Sequence, residues 1–444
     1  MRIKLASAAI AVVCLSAARL CADVVIDWNN VMYDSVRTNS MSPLPATRIS
    51  AAMNTAMYDA INSIARTHRP YHVDVTAAPG ASREVAAAQA AHRVLSALIP
   101  ANQATFDAAL TNSLSSVPDG PEKTAGITLG DTVSAAILAL RANDGASAVV
   151  PYTPGSQPGQ WQPTPPANAA AAAPQWANVT PWAMTSPSQF RNPDGPPALD
   201  SAEYTAAFNQ VKEIGSATST TRTQDQSNIA QFWAGPTGTA TPPGHWNKIA
   251  QTVAQSQGTT LEENARLFAL LSISQADALI SSWDNKYHYN HWRPVTAIRE
   301  AATDGNPATE ADASWSSFIT TPNHPSYSAA HGTLSGASGA LLADFFGTDN
   351  ITFTSSTEGF AVPDRTYTSF SQASTEASNS RLYGGIHWSF DNEDGLAGGQ
   401  SLGHHIYATQ LRAIPEPAAC VSLLLGLIGG LALRKKRNGS HFSI

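Results

Sequence analysis

Residues 380–391 read SRLYGGIHWSFD. The stretch holds a guanidinium (Arg381), two glycines (Gly384, Gly385), an imidazole (His387) and a carboxylate (Asp391). Arg381 offers planar, two-pronged donation to a phosphate-like group. The glycine pair lets the backbone bend tightly ahead of His387. Asp391, four residues on, can accept one imidazole N–H, fix the tautomer and raise the basicity of the other nitrogen.

Two upstream segments extend this set. Residues 286–294 read KYHYNHWRP, with Lys286 and Arg293 seven positions apart. On one helix they lie two turns apart on roughly one face. Two cations on one face repel unless an anion sits between them. A Lys and an Arg at this spacing usually mark a solvated face. The aromatic neighbours Tyr287, Tyr289 and Trp292 favour a site instead. Residues 324–332 read HPSYSAAHG and carry His324 and His331. Pro325 suits the first turn of a helix, where its missing N–H costs nothing. The small residues that follow (Gly332, Ser335, Gly336, Ala337, Ser338, Gly339, Ala340) allow close helix packing. Amides at the start of such a helix can approach an anion. Together the three segments supply what a tetrahedral oxyanion needs: three cations, a ligand or nucleophile, and a proton donor.

The surrounding chain reads as helices. Apolar residues recur at i, i+4 and i+7 through Ile49, Met53, Met57, Ala60, Ile61 and Ile64, with Met53 and Met57 as core filler. The same period runs through 84–98, 123–142, 202–214, 223–234, 245–257 and 261–283. Strand alternation is scarce, so the expected class is all-α. Residues 151–197 break every period and are rich in Pro and Ala. Trp161, Trp176 and Trp182 favour an ordered connection there over a free linker. The expected organisation is an N-terminal helical half (23–150), the connection (151–200) and a helical half carrying the oxyanion site (201–412).

Composition narrows the function. Residues 23–414 carry 19 basic and 32 acidic side chains, which argues against nucleic-acid binding. The cysteines are Cys14, Cys21 and Cys420, so the body holds neither disulfides nor thiolate metal sites. Residues 1–22 read as a secretory signal peptide: Arg2 and Lys4, an apolar run from Leu5 to Leu15, then Ala17, Ala18 and Ala22. Residues 415–437 join Pro415-Glu416-Pro417 to an apolar run and the basic Arg434 to Arg437. This tail resembles the PEP-CTERM sorting signal of Gram-negative bacteria that make extracellular polysaccharide. The resemblance implies an exosortase-type sorting enzyme as partner. The protein is then exported, to the periplasm, outer surface or extracellular matrix, with the tail as a transient membrane anchor.

Read together, K-x6-R-P, P-x-Y-x3-H and S-R-x5-H-x3-D resemble the vanadium-dependent haloperoxidase and type 2 phosphatidic acid phosphatase superfamily. The three blocks stand in the family's order from Lys286 to Asp391. ISAAMNTAMYDAINSI (49–64) and TPPGHW (241–246) are similar to its secreted bacterial branch. The resemblance implies a helical-bundle fold and vanadate as cofactor. Lys286, Arg293, Arg381 and the Ala330 position would hold the oxyanion. His387 would be the axial ligand of the vanadium, or the nucleophile towards phosphorus. His331 would be the acid–base, and Asp391 would orient His387. Trp283 and His324 would line the halide pocket, with His324 implying bromide or iodide. One position departs from the pattern: the family's Ser-Gly-His is here Ala329-Ala330-His331. The serine hydroxyl is lost unless Ser326 or Ser328 supplies it, at a cost of about 1.5–3 kcal/mol in anion binding. Three readings stay open. One is a haloperoxidase using hydrogen peroxide and halide. The second is an acid phosphatase acting on a small phosphate ester through phosphohistidine. The third is a non-catalytic surface protein. An oligomer is compatible with each.

Overall fold

The longest helix, α9 (Leu261–Tyr289), runs through the middle of the protein. In this computed structural model, which describes residues 23–415, nearly every α9 side chain from Leu267 to Lys286 is buried. A helix apolar all round belongs inside a core. It starts on a capping box, in which Thr260 and Glu263 satisfy each other's amides.

The N-terminal helices are α1 (Val24–Thr38), α2 (Pro43–Ala65), α3 (Arg83–Leu98), α4 (Gln103–Ser115) and α5 (Pro121–Arg141). Next come α6 (Ala202–Ile214), α7 (Gln224–Phe232) and α8 (Thr241–Gln257) before α9. After α9 follow α10 (Pro294–Arg299), α11 (Ala330–Phe346), α12 (Phe370–Tyr383) and α13 (Ser389–Thr409). Among the described residues the only ladder is an antiparallel pair, β1 (Phe353–Ser355) with β2 (Arg365–Tyr367). The all-α expectation holds. One apolar cluster runs from Val24 to Leu411, with Met53 and Met57 fully buried in it. The signal-peptide reading of 1–22 lies outside the described residues. So does the sorting-signal reading of 415–437, apart from Pro415.

The Pro- and Ala-rich connection is ordered without regular structure. Trp161, Trp176 and Trp182 are all buried. Asp277 of α9 accepts the successive amides of Trp182, Ala183 and Met184 at 2.7, 2.8 and 2.8 Å. Arg191 forks onto Asp284 of the same helix at 2.7 and 2.6 Å. Tyr287 Oη and Trp283 Nε1 both donate to the Ala172 carbonyl, at 2.6 and 3.2 Å. The segment is thus strapped along α9 by side chains of that helix.

Two sequence expectations about helices need correcting. Lys286 and Arg293 do not share a helix. Asn290 sits at φ 51, a left-handed C-cap whose amide closes on the Lys286 carbonyl, so α9 ends there. The chain turns, and Arg293 becomes the N-cap of α10. Nor does Pro325 open a helix: α11 begins at Ala330, and residues 324–329 form an irregular approach to it. Donors of Lys286 and Arg293 claim the carbonyls of 324–326 and 328, which keeps that stretch out of a helix.

Helices α11 and α13 pack at backbone distance. A Cβ on Gly336 would lie 2.4 Å from the Leu396 carbonyl, and one on Gly399 would lie 2.1 Å from that of Thr333. The stripe of small residues therefore sets the spacing between the helix start that carries His331 and the one that carries Asp391.

Candidate active site

Five helix ends converge on one buried point. Lys286 comes from the last turn of α9, and Arg381 from the last turn of α12. His331 stands in the first turn of α11 and Asp391 in the first turn of α13. The C-terminus of α7 adds backbone carbonyls. His387 sits just ahead of α13, after Gly385 at φ +74. A Cβ at Gly385 would fall 2.1 Å from the Gly215 carbonyl, so the bend admits only glycine.

The three cations are buried: Lys286 and Arg293 fully, Arg381 to within 2%. Lys286 Nζ donates to the carbonyls of Pro325, Ser326 and Ser328 at 3.1, 2.7 and 2.6 Å. Arg293 donates from Nε to the His324 carbonyl (2.9 Å) and from Nη1 to the Ile386 carbonyl (2.7 Å). Its Nη2 donates to His324 Nδ1 at 2.9 Å. Arg381 donates to Ser380 Oγ (3.1 Å) and to the Ala230 carbonyl at the end of α7 (3.2 Å). None of the three makes an ion pair with a carboxylate among the described residues. Burial pulls the Lys286 ammonium well below its usual range, and Arg293 adds repulsion. Burial likewise draws Arg293 and Arg381 down to about 9. The hydrogen bonds are satisfied, but a single carboxylate, Asp391, opposes the charge of these cations.

His387 is held by opposite neighbours. Nδ1 lies 2.7 Å from Asp391 Oδ2, and Nε2 lies 3.0 Å from Arg293 Nη1. A guanidinium can only donate, so Nε2 accepts and Nδ1 carries the proton. The Nε2 lone pair therefore faces the cations. Burial first, then Arg293 and Lys286, hold His387 well below the usual imidazole range, so it is neutral. Asp391 is itself fully buried, and burial pushes its carboxyl up against the opposing pull of Ser326, Lys286 and Arg293.

His331 Nε2 lies 3.1 Å from the Trp233 carbonyl and 3.2 Å from Arg381 Nη1. Burial and Arg381 depress its basicity, while the carbonyls of Trp233 and Ala234 oppose that. These carbonyls sit at the negative end of α7. His324 and Trp283 are in contact, ring centroids 4.8 Å apart. His324 is not free: its Nδ1 and its carbonyl both hold Arg293. Ala329, the N-cap of α11, offers no side-chain cap, so the first-turn amides starting at Ala330 have no side-chain acceptor among the described residues. Ser326 does not replace the missing hydroxyl at the anion; its Oγ donates to Asp391.

All the residues singled out in the sequence thus meet at one place, with Trp283 and His324 at its edge. The α7 carbonyls were not singled out, because backbone contacts leave no side-chain signature. Ser326 was weighed only as a substitute for the missing hydroxyl, not as the partner of Asp391.

The geometry has counterparts. Residues 266–415 match the family of the VCPO second helical-bundle domain. The crystal structure of the first bacterial vanadium-dependent iodoperoxidase superposes with a TM-score of 0.78 at 28% identity, covering 89% of this chain and 98% of that one. Over these residues the chain is similar to the vanadium haloperoxidases. Vanadium chloroperoxidase of Curvularia inaequalis is 30% identical over 171 residues, 32% of this chain; the match spans only 27% of that relative. A holo-type bacterial vanadium-dependent chloroperoxidase shares the fold, with a TM-score of 0.67 at 17% identity over 83% of this chain and 92% of that one.

An oxyanion such as vanadate would fit these residues. Three buried cations face one carboxylate, Asp391, uncapped helix amides start at Ala330, and His387 directs a lone pair at the same region. An unpaired buried charge is costly, and a bound anion relieves it.

Proposed function

We propose that this protein is a vanadate-dependent haloperoxidase that oxidises bromide or iodide with hydrogen peroxide. The balance is halide, hydrogen peroxide and one proton giving hypohalous acid and water. The observation that carries the reading is the cluster of three buried cations, opposed by one carboxylate, that faces the Nε2 lone pair of His387. Bound vanadate supplies a Lewis-acidic centre that activates hydrogen peroxide. Lys286, Arg293, Arg381 and the amides from Ala330 on would hold its oxygens, and His387 Nε2 would ligate the vanadium. Asp391 keeps the other ring proton on Nδ1. His331 is neutral and can take a proton at Nε2 and return it, with the Trp233 carbonyl as the alternative partner for that hydrogen. Fixed donors and dipoles that need no reorganisation act most strongly in such a dry site. His324, beside Trp283 at the edge, supports the heavier halides, and the iodoperoxidase neighbour agrees with that preference.

The test is bromination of monochlorodimedone by the purified, orthovanadate-loaded protein, with iodide oxidation and p-nitrophenyl phosphate hydrolysis in parallel. Halide oxidation that falls to background in His387→Ala is expected. Absence of halide oxidation at every vanadate concentration sinks the reading, and phosphate ester hydrolysis without vanadate replaces it with the phosphatase. Ala329 is the observation that keeps this second reading, since it removes a hydroxyl from the anion. Neither activity leaves the non-catalytic surface protein.

The two ends support a proposed route: export directed by 1–22 and sorting through 415–437 by an exosortase-type enzyme. The mass of the protein recovered from the producing cells' exterior checks both cleavages.

A further inference from the structure

We infer that Ser326 is a positioning residue of the oxyanion site, fixing His387 relative to Lys286 through its hydroxyl and its carbonyl. The inference rests on the vanadate reading above. Ser326 is fully buried. Its Oγ donates to Asp391 Oδ2 and lies 3.4 Å from His387 Nδ1. Its carbonyl accepts from Lys286 Nζ at 2.7 Å. Its amide donates to the carbonyl of His291, two residues before Arg293, at 2.9 Å. One residue is therefore tied to the cation on α9, to the turn that delivers Arg293, and to the carboxylate on α13.

The Asp391 end shows why the hydroxyl matters. Oδ2 takes Ser326 Oγ, His387 Nδ1 at 2.7 Å and the Trp388 amide at 3.3 Å. Oδ1 is buried and has no partner among the described residues. Every hydrogen bond of the carboxylate thus converges on one oxygen. Without the Ser326 hydroxyl the carboxylate loses a donor that fixes its rotation about Cβ–Cγ. The His387 ring, hydrogen-bonded to the same oxygen, loses its fixed bearing. Partners behind a metal-ligating histidine hold ring orientation and affect affinity although they never touch the metal.

The site carries a serine hydroxyl here and an alanine at 329. A hydroxyl at 329 would act on the anion itself; the one at 326 acts on the ligand. The bland alternative is that Ser326 merely satisfies a buried carboxylate. The two differ in epistasis. If Ser326 works through Asp391, its loss adds nothing once Asp391 no longer orients His387.

The test uses the purified full chain, with orthovanadate affinity from equilibrium dialysis and thermal melting in parallel. Ser326→Ala is expected to weaken vanadate binding about tenfold while the melting transition stays cooperative. In an Asp391→Asn background the same change is expected to have no further effect. Ala329→Ser is expected to strengthen binding by one common factor whether residue 326 is Ser or Ala. Ser326→Cys keeps the volume and a weaker donor, and its affinity is expected between those of Ser and Ala. It serves as the deciding variant should Ser326→Ala not fold. Wild-type affinity in Ser326→Ala and Ser326→Cys overturns the inference, as do independent, multiplicative effects of 326 and 391. Absence of vanadate binding by the unaltered protein removes the functional reading and this inference together, a result distinct from either.

Discussion

Two buried charged groups on α9 lie nine residues apart and have opposite fates. Asp277 accepts three successive amides of the connection, so dipoles compensate its charge where it sits. Lys286 also makes three hydrogen bonds to backbone, at similar distances. Its charged neighbours, however, are Arg293 and Asp391, and Arg381 adds a third buried cation beside Arg293, so positive charge outweighs the single carboxylate. Counting hydrogen bonds does not separate these sites; counting charge does. The Asp277 site is complete as folded and holds a strap. The Lys286 site gathers excess positive charge, which suits the anion proposed for it.

This contrast can be broken from either side. Arg381→Met removes a buried charge and keeps most of the volume. Halide oxidation is expected to fall by about 10²–10³, the usual loss for one preorganised stabilising donor. Melting in vanadate-free buffer is expected to stay level or rise, because replacing buried charge with apolar volume is often neutral or stabilising. A clear drop in stability would show that the cation cluster is already balanced and would end the contrast. Asp277→Asn should do the reverse. It sets an amide donor against backbone donors, and is expected to lower unfolding free energy by about 1–3 kcal/mol. Limited proteolysis within 151–197 should speed up, with specific activity of the folded fraction kept near wild type. Loss of activity without loss of stability would show that the strap shapes the site directly.

The difference also explains what the sequence could show. Lys286, Arg293, His331, Arg381, His387 and Asp391 were legible because a charge or an imidazole in an apolar, acidic chain needs a reason. The all-α class was legible because α2, α3, α5 and α9 carry long apolar stripes. The reversal at Asn290 was not, since a left-handed Asn is a conformational choice made by packing, and the 286–293 spacing fits a helix equally well. The irregular run 324–329 was misread for a related reason: Pro325 suits a helix start, but tertiary donors took the carbonyls. Asp277 gave no signal either. One acid in an apolar helix does not announce which amides it will bind.

His291 adds a third, smaller case between these two: a buried group that stays neutral. It lies on the turn between Lys286 and Arg293, is only 4% exposed, and its Nε2 has no partner among the described residues. Its ring packs against Trp388 and Phe390, centroids 6.1 and 5.8 Å away. Burial drives its pKa down to about 3. The folded state then refuses a proton that the unfolded chain accepts below about 6.5. The contribution is complete above that unfolded value and is lost as pH falls towards the folded one. At pH 5 the expected loss is about 2 kcal/mol relative to pH 8. His291→Gln removes the titration, so its unfolding free energy should fall less between pH 8 and pH 5, by about that amount. Denaturant unfolding of both proteins at the two pH values measures it. Equal slopes would mean that water reaches the ring and that the turn is looser than the packing around it implies.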